Sequence, residues 1–465
     1  MTDSKSSDEL VLSKWALFFG DALVSLFFLS KLSLAFAHFI PYNIPPLIYQ
    51  GGMHPYINVL GNLIFGLGFV LSLRKGIWSA KARRYAVFLT LFLAVLVIQT
   101  FVQIAFVHPD KSIIFQLSGS VMAIITVSLY GFILPMHYPR ERFVKVLLAF
   151  SLIIVTISTL LLPLFSAHMF RGGRFVGITK HIPHMVTISC IAAIFLISRW
   201  PKLFGQNMSM PKVMMALLLT LISFFAVALT ATKAAMGSVF FACLIALFFL
   251  GKKTKTQQWG RLFVLASMAI SMLLLTPVVG DTLYEVASGE RALLGRPAQN
   301  GFETRWDEVV RGGDMFFRSP HAGLGILYKF MTNHGDGDVD TYNSFKDPHN
   351  IFLSAGVIAG WPFMIMIGIG YLGLIVITFN VLRPKNKEFV DSDTQTLALF
   401  LAVHLPVFLI YHVHLSLGGI ADRVYWCVIG YVILTPTFFH SGRTPLAMDD
   451  THSSKSLEGS HEKIT

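Results

Sequence analysis

The sequence is short of charge. Asp, Glu, Lys and Arg together make up 13% of its 465 residues, about half the share of an ordinary soluble domain. A soluble fold of this length has too much surface to cover with so few charges, so a soluble enzyme is excluded. Cysteine is nearly absent. Cys190, Cys243 and Cys427 all fall in apolar stretches. With no CxxC and no Cys/His spacing, they exclude a disulfide scaffold and a zinc module and read as packed core. Acid is the scarcer sign, 25 Asp and Glu against 37 Lys and Arg. Such a surplus suits nucleic acid in a soluble chain. Here 54% of residues are hydrophobic and 41 are Phe, which also excludes disorder. The surplus then reads as topology, Lys and Arg holding loops on the cytoplasmic side of a bilayer, and nucleic acid is not an expected partner.

What is present in abundance is long apolar runs. Stretches of about 20 residues, enough to cross a bilayer, recur at 13–38, 55–73, 85–107, 113–135, 144–166, 182–199, 212–231, 234–250, 261–279, 351–379, 395–413 and 423–441. They predict an all-α polytopic membrane protein of about twelve transmembrane helices. The first run is too long for a signal peptide and carries Asp21 and Lys31, so it is expected to remain as an uncleaved helix. Loops 74–84, near 140, 199–202, 252–261 and 383–387 are rich in Lys and Arg, whereas 41–54 has none. The positive-inside rule therefore puts both termini in the cytoplasm. The expected organisation is a tail at 1–12, helices 1–9 over 13–279, a periplasmic loop at 280–350, helices 10–12 over 351–441 and a tail at 442–465.

Three loops on the outer side break this rule. HMFRGGRFVGITKH carries Arg171, Arg174 and Lys180. A tight turn carries Lys233. The one long loop carries Arg291, Arg296, Arg305, Arg311 and Arg318. Basic residues there oppose the orientation bias, so a second role is expected: holding a shared anionic ligand. Arg suits phosphate because its planar fork donates in pairs. The plainer reading is that single side chains snorkel to the interface.

Inside the long loop, FETRWDEVVRGGDMFFR spaces Trp306, Val309, Val310 and Phe317 as one helical face, with Arg305 near the start. A Gly/Pro turn follows in SPHAGLGILYKF. A polar stretch then ends in Pro348-His349-Asn350 at the lip of the tenth span. Asp336, Asp338 and Asp340 lack the glycine and the closing Glu of a calcium loop and read as a solvated segment. His321 and His334 have no spacing partner for a metal. His181 and His184, three apart, read as polar lining beside the Arg174 loop. Asn350 is placed to cap the next helix. No internal repeat is evident, which speaks against an inverted-repeat transporter.

Four segments together resemble the O-antigen ligase and polymerase superfamily of bacterial inner membranes. ETRWDEVVRGGDMFFRSPHAGLGILYKF resembles the family's segment with an Arg, a Trp and a Pro-x-x-Gly-x-Gly turn. DPHNIFLSAGVIAGWPF resembles its His-Asn motif, RFVGITKH its Arg-x-x-Gly motif, and LTATKAAMGSV its Ser-Arg turn between spans. Three positions depart from the pattern. Lys233 stands where the family usually has Arg. Ile358 lies near the place of its usual Glu. His181-Ile182-Pro183-His184 replaces an Asn-Pro-Asn.

The resemblance implies a GT-C-type architecture with one large periplasmic loop. It implies transfer of a glycan from an undecaprenyl diphosphate donor to lipid A-core at the periplasmic face, inverting and without metal or cofactor. On this expectation His349 is the base, its ordinary pKa of about 6.5 suiting proton acceptance near neutrality. Arg305 and Lys233 stabilise the departing diphosphate, and Arg174, Arg171, Arg311, Asn350 and His184 contact substrate. Metal-dependent members of the wider fold class carry acidic residues in the first outer loop, and PYNIPPLIYQGGMH has none. Two alternatives share the lipid-linked ligand: a polymerase joining lipid-linked repeat units, and a transporter of lipid-linked sugars.

Overall fold

A bilayer offers peptide groups no water, so an apolar run that enters it must bond its own backbone and folds as helix. The computed structural model describes residues 14–39, 53–73, 79–109, 113–171, 174–179, 182–203, 209–230, 232–249, 301–326, 350–383, 390–409 and 420–434. Every predicted run overlaps a described helix except 261–279, which lies outside the described residues, as do the ends of the last two runs, 410–413 and 435–441. The helices are α1 (Lys14–Phe39), α2 (Met53–Ser72), α3 (Ala80–Val102), α4 (Ile113–Ile125), α5 (Arg140–Leu160), α6 (Leu162–Met169), α7 (Ile182–Leu203), α8 (Met210–Leu229), α9 (Lys233–Phe249), α10 (Gly301–Arg318), α11 (Ile351–Leu382), α12 (Ser392–His404) and α13 (Ile420–Leu434). Segments of π-helix extend α3 over Gln103–Val107 and α4 over Thr126–Ile133. Six described helical stretches are long and apolar enough to cross a membrane. The chain is an all-α, multi-pass membrane protein.

The bundle is built around α7, which packs against α5, α8, α9 and α12. From Met185 to Ile197 nearly all its side chains are buried, as a helix apolar all round its circumference requires. Cys190, Cys243 and Cys427 are buried too, in keeping with their reading as core. On the outside of α3 and α11, Leu91, Ile369 and Leu372 are each more than half exposed. Such a surface is stable against hydrocarbon rather than water.

One end of the bundle is tied by charge. Arg140 pairs with Asp391 at 2.5 Å, Arg142 with Asp21 at 2.5 Å and Arg199 with Asp393 at 2.6 Å. These pairs link α5 to α1, and α5 and α7 to the start of α12. Asp391 also caps α12, accepting hydrogen bonds from the backbone N–H of Asp393 and Thr394. Burial alone would raise the Asp391 carboxyl. The Thr394 hydrogen bonds and the Arg140 charge outweigh it and hold the group below the usual carboxylate range.

The predicted tenth span, 351–379, is helical but not one straight helix. Ala359 (φ −144°, ψ 27°) and Gly360 (φ 71°, ψ −175°) leave helical geometry, and Pro362 follows. Proline has no N–H to give the preceding turn and its ring crowds that turn. Residues 351–358 double back along the rest of α11. The rings of Phe352 and Tyr371 lie 5.5 Å apart, where a straight helix would separate these positions by about 28 Å. Asn350 therefore does not sit at the lip of the span. It lies level with Tyr371, roughly 15 Å along the bundle from Trp361 by the helical rise.

Candidate functional site

The break in α11 is held open by the turn that follows α10. Leu324 N donates to Val357 O at 2.6 Å, Gly325 N to Ile358 O at 3.0 Å, and Trp361 N to Pro320 O at 2.8 Å. The Trp361 indole donates to His321 Nδ1 at 2.9 Å. Gly323 and Gly325 have φ of 75° and 94°. A Cβ on Gly323 would stand 2.6 Å from the carbonyl of Ile358. The turn thus needs glycine both for its left-handed backbone and for the close approach. The Pro-x-x-Gly-x-Gly pattern is a clamp on a broken helix.

A second element completes the clamp. Gln103, in the π-helical end of α3, donates from Nε2 to Ala322 O at 2.5 Å and to Ile358 O at 2.8 Å. His108 Nε2 meets Leu324 O at 3.2 Å, so that nitrogen carries the proton, and the His108 carbonyl accepts from Gln116 at 3.1 Å. The predicted face of α10 exists but turns away from the protein. Trp306 is 59% and Phe317 75% exposed, while Met315 is buried against α11. A Trp-bearing apolar face turned outward suits the membrane–water boundary. On the same helix Glu308 precedes Arg311, and Asp314 precedes Arg318, at spacings that let their side chains meet. Arg305 lies in the first half of α10.

Asn350 of the His-Asn motif and Ser238 of α9 each bond to a backbone carbonyl toward the C-terminal end of α12. His349 lies outside the described residues. Asn350 is the N-cap of α11: its Oδ1 accepts from Phe352 N and Leu353 N, and its Nδ2 donates to Leu409 O at 3.0 Å. Both halves of its amide are engaged in these hydrogen bonds. Lys233 opens α9, and Ser238, one turn further on, donates to Val403 O of α12 at 3.4 Å. Counting helical rise from these two hydrogen bonds brings Lys233 and Asn350 to the same end of α12.

The Arg-x-x-Gly segment forms a small hairpin, β1 (Phe170–Arg171) against β2 (Arg174–Phe175), with Phe170 opposite Phe175 and Arg171 opposite Arg174. Phe175 is buried and Arg174 is exposed. Gly177 has φ 50°, and a Cβ there would stand 2.5 Å from Ser158 Oγ, which explains the glycine. The hairpin packs beside α7 and α8. His184, near the start of α7, is 8% exposed.

The sequence reading missed Gln103, His108 and the pair Asp422-Arg423. Asp422 and Arg423 are each 1% exposed. The Arg423 guanidinium lies 5.6 Å from the Tyr130 ring centroid, and the Tyr130 hydroxyl donates to Asn62 Oδ1. Ionisable groups at such depth are costly and usually functional. The signal was available: two opposite charges heading an otherwise apolar run, IADRVYW.

A family model described as O-antigen ligase matches residues 216–368. The matched stretch contains Lys233, Arg305, Arg311, His349, Asn350 and the whole glycine clamp, and it bears out the resemblance to the ligase and polymerase superfamily. Arg171, Arg174 and His184 precede it. No curated protein matches the chain.

Proposed function

We propose that the protein transfers a glycan from undecaprenyl diphosphate to lipid A-core at the periplasmic face of the bacterial inner membrane, as an O-antigen ligase. One observation carries the reading. Within the stretch that matches the O-antigen ligase family, Ser238, on the helix that Lys233 opens, and Asn350, next to His349, bond to the nearby carbonyls of Val403 and Leu409.

In this reading His349 takes the proton of the acceptor hydroxyl. The freed oxygen attacks the anomeric carbon, and the bond from that carbon to the diphosphate oxygen breaks. The carrier diphosphate leaves with the electron pair, and the anomeric centre inverts. Lys233, Arg305 and Arg174 neutralise the charge that develops on the leaving group. Lys233 is well placed for this because it also opens a helix, whose free N–H groups favour an anion. The register of the hairpin sets Arg171 directly opposite Arg174. Arg311 adds to the same field. Asn350 serves the reaction by fixing the chain beside His349.

The test is His349→Ala and Arg305→Ala, each checked for wild-type amounts of folded protein in the membrane. Loss of surface glycan is expected for both; wild-type glycan from either removes that residue's assigned role. Arg305→Lys is also expected to be damaging, since the planar fork is lost. A deletion strain separates ligase from polymerase. The first leaves polymer on the carrier and bare core, the second single repeats on core.

A further inference from the structure

The end of the bundle away from Asn350 carries positive charge that the ion pairs between helices do not use. From Asp391, which caps α12, to Leu409, which holds Asn350, the helical rise amounts to about 27 Å. That is close to the roughly 30 Å of a bilayer's hydrocarbon, so the two ends face opposite headgroup layers. At the Asp391 end, the Arg140 guanidinium donates to Asp391 and Thr394. Lys81, half-buried in the first turn of α3, lies within reach of the Arg140 charge. Arg83 and Arg84 follow on the same turn, and both are exposed. Among the described residues no carboxylate meets Arg83 or Arg84.

These charges continue into an apolar stripe. Arg84, Val87, Leu91, Ala94 and Ile98 are all exposed, and their intervals of three and four residues put them on one face of α3. That face is cationic at the headgroup end and hydrocarbon from there on, with no acidic residue anywhere in the helix. A phospholipid has the complementary order, an anion first and acyl chains beyond it. A soluble anion would leave the stripe unused, and a zwitterionic lipid would bring a second cation into the cluster. Topology alone asks for basic residues in a loop. It does not ask that one of them head a lipid-facing stripe with a second beside Arg140.

We propose that the start of α3, beside Arg140, binds the phosphodiester headgroup of an anionic phospholipid in the leaflet at that end, with an acyl chain along Val87, Leu91 and Ile98. The Arg84 fork donates to two phosphate oxygens, and Lys81 adds a point charge. Arg83 strengthens the field, and the pair of Arg140 with Asp391 stays intact beside it. A lipid held here reaches from α3 towards α5, so its binding stabilises the folded bundle. The site stands apart from the glycan-transfer chemistry and does not depend on it.

The full chain, purified in detergent, is titrated with phosphatidylglycerol and with phosphatidylcholine of the same acyl chains, and retained lipid is counted by native mass spectrometry. Preferential retention of phosphatidylglycerol is expected, with a higher unfolding temperature in its presence. Arg84→Gln and Lys81→Gln should each weaken its binding about fivefold. Lys212→Gln, which removes an exposed basic residue at the start of α8, should leave binding as in wild type. Phosphatidylglycerol with a diazirine in its acyl chain should label residues 87–98. That label should be suppressed by unlabelled phosphatidylglycerol but not by inorganic phosphate. Thermal unfolding shows whether each variant is folded, and one folded variant of the two suffices. Equal retention of the two lipids, or wild-type binding in a folded Arg84→Gln or Lys81→Gln, overturns the proposal. So does an equal loss in Lys212→Gln, which marks general surface charge, or suppression of the label by phosphate, which marks a soluble anion.

Discussion

Gly323 and Gln103 show how single residues hold the α11 break. Gly323→Ala would combine a positive φ with a Cβ pressed on the Ile358 backbone, and strain of this kind costs about 1–3 kcal/mol. Gln103→Leu keeps the bulk but strips the buried Ala322 carbonyl of its Gln103 donor, at about 1–3 kcal/mol, while the Ile358 carbonyl keeps Gly325 N. Both variants are expected to unfold at lower temperature in detergent, with Gly373→Ala as the unaffected comparison. The glycine pattern was legible because it recurs as a motif, although its reason was not: the backbone it touches lies in another helix. Gln103 was illegible because its partners are 219 and 255 positions away in the chain. Nothing local to a lone Gln in an apolar helix announces them.

At the scale of elements, helix existence was readable from hydropathy and helix shape was not. Apolar runs fixed the place of nearly every helix, since membrane burial leaves the backbone no alternative. The same criterion merged the two arms of α11, because both are apolar and only Ala359, Gly360 and Pro362 divide them. Caps are the opposite case, local and therefore visible. Asp391 at the start of α12 gives a prediction with a definite sign. Its folded-state carboxyl is held below the usual range, so its stabilisation is present above the unfolded pKa of about 3.9 and is lost as pH falls through the lower folded value. Asp391→Ala should therefore be destabilised by about 1 kcal/mol near neutrality. The gap to wild type should close progressively below about pH 3.9, as followed by thermal unfolding across pH. Asp391→Asn keeps the cap and loses only the charge pairing with Arg140, so it should fall between the two.

For the whole molecule, the basic surplus divides by end. Arg140, Arg142 and Arg199 are matched by carboxylates from other helices. Partly exposed pairs of this kind contribute about 0.2–1 kcal/mol each. Arg142→Ala and Arg199→Ala are thus expected to lower stability slightly and leave surface glycan intact. Lys233→Ala is expected to abolish surface glycan with little change in unfolding temperature, and Lys233→Arg to retain it. Immunoblots of surface glycan alongside unfolding curves check all four. Charge against a topological rule is visible one residue at a time, whereas the burial of His184 and of the Asp422-Arg423 pair depends on neighbours contributed by distant helices.

The broken helix also bears on how the protein is made. To machinery that sorts segments by hydrophobicity, Ile351–Leu382 is a single 32-residue stretch, well beyond the roughly 20 residues that one crossing needs. The clamp that folds its first arm back, residues 320–325, is synthesised earlier and closes on that arm only once Val357, Ile358 and Trp361 have emerged. Insertion and maturation of the site are then separate events. A chain lacking the clamp would still thread the membrane in the right order and accumulate there, complete in topology and without a working centre.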